Sequence, residues 1–139
     1  MYMIYIDIIH GPPCVGKTQI MNRMAGPVNK LEMDSCRYWL FNPNKWTDIC
    51  INHLIEHIIQ NLHKMDMVVT CGALPPPEHD IYLKLKNEYS VHFIHTLVLA
   101  KNIDEYKKNI QGSGRKHDLI NEYMAMEETL EKYSEIIYH

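Results

Sequence analysis

The sequence predicts a three-layer α/β fold, in which a mainly parallel sheet of four or five strands lies between helices. Short apolar runs alternate with helical patterns, and the first run leads through a glycine-containing loop into a helix. The segments between the runs are long enough for the crossover connections that parallel strands need. In such sheets, ligands bind at the carboxyl ends of the strands.

Composition narrows the class of protein. The 139 residues suit one domain over residues 1–139, and 46% apolar with 22% charged residues is ordinary for a globular protein. No apolar run approaches the ~20 residues that cross a bilayer, so we expect no membrane partner and a cytoplasmic location, or the host cytoplasm if a phage encodes the chain. The net charge of −3 argues against a broad nucleic-acid-binding face.

The first strand, predicted over residues 3–9, leads into a complete phosphate-binding motif. Residues 11–18 match G-x-x-x-x-G-K-[ST], and a helix over residues 19–25 follows, so a helix N-terminus faces the phosphates. Lys17 would reach the β- and γ-phosphates, and Thr18 would hold Mg²⁺. This motif is typical of P-loop NTPases, and its predicted ATP-binding (or GTP-binding) residues are Gly11, Pro12, Pro13, Cys14, Val15, Gly16, Lys17 and Thr18.

The next elements follow from breaks and periodicity. A short second strand over residues 31–33 comes after the break at Gly26 and Pro27. Thr47 is a suitable N-cap for a long helix to about residue 64, where apolar residues recur with a helical period. Residues 67–71 form an apolar run of the kind that is buried on both faces of a sheet, and the prolines at 75–77 end it.

The second half of the chain repeats the alternation. A helix is predicted over residues 78–89, a fourth strand over 91–99 and a short helix over 104–110. Two glycines then predict a mobile basic loop over about residues 111–117, before a helix over 119–133 and a small fifth strand over 136–138. Asp7 interrupts the first strand, so we expect either that this end of the strand is exposed or that a histidine pairs with Asp7.

Asp34 and Arg37 are candidates for catalysis. They directly follow the second strand, at the sheet edge where the phosphate loop lies. Asp34 could take the proton of an attacking hydroxyl, and Arg37, one helical turn on, could hold a phosphate or carboxylate of the acceptor. The alternative is that Asp34 only caps a helix while Arg37 is solvated, and one carboxylate can fill both roles.

Arg115 is the third candidate. An arginine over a transferring phosphoryl group raises the rate by about 10³–10⁵. Because Arg115 lies on the glycine-hinged basic loop, that loop could close over a nucleotide as a lid. The alternative is that this loop is a plain solvent-exposed turn and does not close over a nucleotide.

A phosphate loop, an Asp-x-x-Arg after the second strand and a basic lid, in this order, resemble the small P-loop kinases. The kinase domain of phage polynucleotide 5′-kinases is the most similar, with zeta-toxin-like proteins and nucleoside and nucleotide kinases as relatives. The resemblance implies that Asp34 is the general base, that Arg37 contacts the acceptor nucleotide and that Arg115 contacts the ATP phosphates. The chain departs from that pattern after the third strand, where an acid is replaced by Thr70-Cys71-Gly72-Ala73. Mg²⁺ would then rely on Thr18, the phosphates and water.

These features predict an ATP- and Mg²⁺-dependent kinase that moves the γ-phosphate to a hydroxyl of a nucleoside, a nucleotide, a nucleic-acid 5′ end or another small acceptor. A nucleoside monophosphate kinase is the first alternative, although the three arginines of the chain are few for gripping an acceptor phosphate. A regulatory nucleotide-binding NTPase without an acceptor is the second. It needs an acid after a buried strand, which the third strand does not visibly supply. A catalytically inactive binding module is the third.

Overall fold

Five strands form one sheet in the structure, a computed structural model that describes residues 4–12, 15–24, 28–32, 56, 59–60, 66–70, 77–113 and 119–139. The strands are β1 (Ile4–His10), β2 (Val28–Glu32), β3 (Asp66–Thr70), β4 (Val91–Leu99) and β5 (Glu135–Tyr138). Their order is β2-β3-β1-β4-β5, and every pairing is parallel. The predicted α/β fold with a mainly parallel sheet is confirmed.

Helices cover the sheet from both faces. They are α1 (Lys17–Arg23), α2 (Asp80–Tyr89), α3 (Ile103–Ser113) and α4 (Leu119–Glu127), with a 3₁₀ turn over Leu130–Lys132. Of the long helix predicted from Thr47, residues 56, 59 and 60 are described and are helical, and the rest lies outside the described residues. None of the helices in the described part of the chain is long and apolar enough to cross a membrane.

The two faces of β1 are assigned by strand register. Ile9 pairs with Thr70 of β3 and Thr96 of β4, so these three side chains share one face. Met21 of α1 belongs to the same buried cluster as Ile9. Tyr82 of α2 packs on the other face, because its ring lies 4.4 Å from that of His95.

The core forms around β1, which lies between two other buried strands. Its isoleucines Ile4, Ile6, Ile8 and Ile9 are each no more than 2% exposed. A central parallel strand is buried on both faces, which explains why its sequence is a nearly continuous apolar run. The phosphate-binding motif begins directly after the carboxyl end of this buried strand.

Asp7 is stabilised by a neighbour on β4. The Thr96 hydroxyl donates a hydrogen bond of 2.9 Å to Asp7 Oδ1. Burial raises the pKa of Asp7, the bond from Thr96 opposes that shift, and the nearby charge of Glu135 adds to it. The expectation of a histidine partner was wrong, because a threonine occupies the adjacent position on the same face.

Several predicted boundaries need correction, and those of the second strand and the basic loop differ by three residues at their starts. The second strand begins at Val28, three residues before the predicted start, because Val28 already pairs with Asp66 of β3. The predicted loop over residues 111–117 begins too early, since α3 continues through Ser113 and includes Gly112 at an exposed position. An exposed glycine costs a helix only about 1 kcal/mol.

The last helix also ends earlier than predicted. It stops at Glu127 instead of continuing to residue 133. The N–H and hydroxyl of Thr129 both donate to the Met126 carbonyl, at 3.0 and 2.9 Å, which replaces the α-helical pattern by the tighter 3₁₀ one. The chain then enters β5, whose Glu135 pairs with Thr96.

Candidate active site

The phosphate-binding motif passes close to the backbone of β4. A Cβ atom on Gly11 would lie 2.5 Å from the Val98 carbonyl oxygen, so only glycine fits at this position. At the other end of the motif, Gly16 has a left-handed backbone conformation with φ of +88° and directly precedes α1. The two motif glycines therefore satisfy two different steric requirements of this loop.

Lys17 lies at the base of the loop. Its ammonium donates a hydrogen bond of 2.7 Å to the Gly11 carbonyl, and the residue is only 8% exposed. A buried positive charge in this motif favours an anion as its ligand. Thr18 follows in the first turn of α1 and is partly buried.

The structure does not describe every predicted site residue. Pro12 and Val15 are buried in the loop, whereas Pro13 and Cys14 lie outside the described residues. Asp34, Arg37 and Arg115 also lie outside them. The structure therefore brings together Gly11, Pro12, Val15, Gly16, Lys17 and Thr18, and the acceptor and lid residues remain predictions.

A pair of histidines next to the loop was missed by sequence analysis. His10, the last residue of β1, is 5% exposed, and its Nε2 lies 2.9 Å from Nδ1 of His95. Burial, the His95 ring and the charge of Lys17 lower the pKa of His10 to about 3. Burial also lowers the pKa of His95 to about 4, against an opposing effect of Glu78. Both rings are neutral at physiological pH, and the signal that could have identified them was the parallel register of the two strands.

His139, directly after β5, was also missed. Its Nδ1 lies 3.0 Å from the Val15 carbonyl oxygen, and its Nε2 lies 3.5 Å from Nη1 of Arg23. A carbonyl only accepts and a guanidinium only donates, so Nδ1 carries the proton and Nε2 accepts. The same ring lies 2.7 Å from the position of a Cβ on Gly16, so a side chain on that glycine would displace it.

A cleft of about 490 Å³ opens beside the loop. Its volume is in the range of small-molecule sites, about 300–1,000 Å³. Asn102, on its wall, caps α3 by accepting a hydrogen bond of 2.9 Å from the Glu105 N–H. The cleft is lined by Val15, Gly16, Gln19, Lys101, Asn102, Glu105, Asn109 and His139.

Thr70 ends β3 at the same edge of the sheet. The residue is 1% exposed, and its hydroxyl has no hydrogen-bond partner among the residues that the structure describes. A buried hydroxyl without a partner costs about 1–3 kcal/mol. This position precedes Cys71-Gly72-Ala73, where the resembling kinases place an acid.

Comparison with known proteins identifies the fold. No protein-family model matches the sequence, and no curated protein matches it significantly. A chain in the structure of the Pnkp1/Rnl/Hen1 RNA repair complex superimposes with a TM-score of 0.63 and 12% identity over 96% of this chain. A gluconokinase from Sinorhizobium meliloti 1021 superimposes with a TM-score of 0.56 and 12% identity over 95% of this chain. APE1195 superimposes with a TM-score of 0.53 and 16% identity over 96% of this chain.

The share of each neighbour that is covered differs. This chain spans 47% of the RNA-repair chain, 79% of the gluconokinase and 84% of APE1195. All three have folds of the P-loop kinase type. The chain described here has the P-loop kinase fold, and the resemblance predicted from its motifs is confirmed at that level.

Proposed function

We propose that this chain is an ATP- or GTP-dependent and Mg²⁺-dependent phosphotransferase that moves the γ-phosphate to a hydroxyl group. The acceptor is a nucleoside, a nucleotide, a nucleic-acid 5′ end or another small hydroxyl compound, and the reaction takes place in the cytoplasm. The observation that carries the proposal is the loop around Lys17, where a buried ammonium and two sterically required glycines meet at the carboxyl edge of a parallel sheet. The P-loop kinase fold supports the same reaction class.

The residues at the loop are suited to a magnesium ion. Mg²⁺ prefers oxygen ligands and keeps several waters. Two hydroxyl residues lie at this edge, Thr18 in the first turn of α1 and Thr70 at the end of β3. The Thr70 hydroxyl is buried and has no hydrogen-bond partner among the described residues. When bound with the nucleotide, Mg²⁺ would neutralise charge on the phosphates.

The residues of the chain would act mainly by positioning and charge. Lys17 and the loop amides would hold the β- and γ-phosphates, and Arg115 would close over them. Asp34 would accept the proton of the attacking hydroxyl, while Arg37 would grip the acceptor. Closure of the lid would exclude water, so that the phosphoryl group reaches the hydroxyl instead of being hydrolysed.

The cleft beside the loop is the place we propose for the nucleoside part of the donor. It contacts Gly16 of the loop directly, so a nucleotide with its phosphates at the loop would extend into it. Amide side chains of Gln19, Asn102 and Asn109 line it and can hydrogen-bond to a base in either direction. The His139 ring offers a flat surface on the same wall.

The decisive experiment is phosphoryl transfer from γ-labelled ATP and GTP to a panel of acceptors. The panel includes nucleosides, nucleotides, 5′-hydroxyl oligonucleotides and gluconate, the last because a gluconokinase shares the fold. We expect label on at least one hydroxyl acceptor, and Lys17→Ala should abolish transfer without unfolding the protein. Full activity of Lys17→Ala would contradict the role given to the loop.

Asp34→Asn distinguishes the alternatives. Loss of a general base should reduce transfer to a hydroxyl by about 10²–10⁴. A loss below about tenfold, with nucleotide affinity unchanged, would favour a nucleoside monophosphate kinase, whose acceptor phosphate needs no base. Hydrolysis without any labelled acceptor would favour a regulatory NTPase, and binding without turnover an inactive binding module.

A further inference from the structure

We propose that His139 is a positioning residue for the phosphate-binding loop, and that its imidazole orients the peptide between Val15 and Gly16 so that the Gly16 N–H faces a bound phosphate. This inference rests on the proposed function and adds a residue that neither the motif nor the resemblance assigns. The observation that carries it is the hydrogen bond of 3.0 Å between Nδ1 of His139 and the Val15 carbonyl oxygen.

The carbonyl oxygens of the loop must be kept away from an anion, because they carry partial negative charge while the amide N–H groups attract a phosphate. The Gly11 carbonyl accepts a hydrogen bond of 2.7 Å from Lys17, and the Gly16 carbonyl accepts one of 3.0 Å from the Ile20 N–H. Both donors belong to α1, which follows the loop directly. The Val15 carbonyl instead accepts from a segment far away in the sequence, so its direction depends on that segment.

One peptide unit joins the Val15 carbonyl to the Gly16 N–H. A peptide unit is planar and trans, so its C=O and N–H groups point in opposite directions. Because His139 holds the carbonyl on one side, the Gly16 N–H is turned to the other side, away from the ring. A hydrogen bond to a carbonyl also polarises the peptide, which makes the N–H a stronger donor. His139 thereby fixes and strengthens one of the amides that the loop offers to a phosphate.

Gly16 needs this support because it is conformationally permissive. The direction of its N–H changes with rotation about its own φ, and a residue without Cβ resists that rotation little. Its φ is +88°, and a Cβ at this position would lie 2.7 Å from Nδ1 of His139. The imidazole thus occupies the space beside Gly16 and restricts the backbone where no side chain does so.

His139 is itself held at both ends. It directly follows β5, and its N–H donates to the carbonyl of Leu99, the last residue of β4, at 2.8 Å. On the far side of the ring, Nε2 lies 3.5 Å from Nη1 of Arg23, which only donates, so the proton of the neutral ring is on Nδ1. The loop therefore meets a donor with one orientation and one tautomer.

A test must separate this role from direct contact with a nucleoside, because His139 also lines the cleft beside the loop. Inorganic tripolyphosphate makes the separation, since it carries the charge of the triphosphate and has no nucleoside. The experiment measures the affinities for tripolyphosphate and for ATP by calorimetry with MgCl₂, together with the melting temperature of each ligand-free protein. For His139→Ala we expect the affinity for tripolyphosphate to fall roughly five- to tenfold, as for the loss of one hydrogen bond, and that for ATP at least as much.

Two amide variants assign the effect to one ring nitrogen. His139→Asn places an amide N–H close to the position of Nδ1 and should restore the affinity for tripolyphosphate to within about twofold of the wild type. His139→Gln carries its amide one carbon further out, close to the position of Nε2, and should bind as weakly as His139→Ala. His92→Ala is the control, because it removes an imidazole from the start of β4, at the opposite edge of the sheet, and should leave both affinities unchanged.

Three results would each overturn the inference. They are a loss of ATP affinity in His139→Ala without a loss of tripolyphosphate affinity, equal tripolyphosphate affinities of His139→Asn and His139→Gln, and affinities that merely follow the melting temperatures of the variants. The comparison of Asn with Gln applies even if His139→Ala fails to fold. A wild-type protein that binds neither tripolyphosphate nor ATP would instead overturn the proposed function.

Discussion

The pair formed by buried His10 and partly buried His95 makes stability depend on pH well above the range in which carboxylates titrate. In the unfolded chain each imidazole has a pKa near 6.5, whereas in the folded protein the pKa of His10 is lowered to about 3 and that of His95 to about 4. Between these values the unfolded state binds more protons than the folded state. The free energy of unfolding therefore falls as the pH falls below 6.5. Well above that pH the imidazoles are neutral in both the folded and the unfolded state, so they no longer make stability depend on pH.

The magnitude follows from the protonation of the unfolded state. One pH unit below 6.5, protonation stabilises the unfolded chain by about 1.4 kcal/mol for each imidazole that stays neutral when folded. His10 is 5% exposed and contributes this full amount, whereas His95 is only partly buried, and solvent screening reduces its share to about half. We expect a total loss of about 2 kcal/mol between about pH 7.5 and 5.5.

Urea unfolding at about pH 7.5, 6.5 and 5.5 measures this loss directly. His10→Gln keeps a hydrogen-bonding side chain next to His95 but removes one titrating group. Its unfolding free energy should change by about 1.4 kcal/mol less than that of the wild type over the same range. A wild-type value that is constant over this range, or a His10→Gln protein with the full wild-type pH dependence, would refute the reasoning.

Two further substitutions test the loop and its support. Gly16→Ala should lower the free energy of unfolding by about 1–3 kcal/mol and weaken nucleotide binding, because its φ is +88° and the new Cβ would displace the His139 ring. Gly112→Ala is its control, with nothing within 4 Å of the added atom, and should stabilise α3 by about 0.5–1 kcal/mol in urea unfolding. Tyr123→Phe should cost about 1–3 kcal/mol in the same assay, because it leaves the buried Ala100 carbonyl without its 3.0 Å hydrogen bond. Tyr138→Phe, at a position 55% exposed, should change stability by less than about 0.5 kcal/mol, and equal effects of the two tyrosine substitutions would contradict this assignment.

The parts of the fold that the sequence predicted well are those with strong local signals. The prediction for β4, residues 91–99, is confirmed at both ends because the run is apolar and a helix precedes it directly. The start of β2 was missed because Val28 to Lys30 form a strand only through pairing with β3, a contact between distant residues. Similarly, residues 111–113 were predicted as part of a loop because of Gly112, but they continue α3.

The same distinction applies to the site. The phosphate-binding motif could be recognised from the sequence, since it consists of consecutive residues. His10, Thr70 and His139 were not predicted, because the surroundings of each depend on contacts between distant segments. His10 meets His95 through the pairing of β1 with β4, Thr70 lies beside β1 through the pairing of β3 with β1, and His139 reaches Val15 from the end of β5. A single sequence without its strand register does not contain these neighbours.

The contact between His139 and Val15 joins residues 124 positions apart. The loop therefore receives this support only after β5 has been synthesised and has docked against β4, where the His139 N–H also donates to the Leu99 carbonyl at 2.8 Å. Closing a contact between such distant residues costs more chain entropy than closing a local one. During translation, the contact between His139 and the loop would thus form only after the residues of all the other strands have been synthesised.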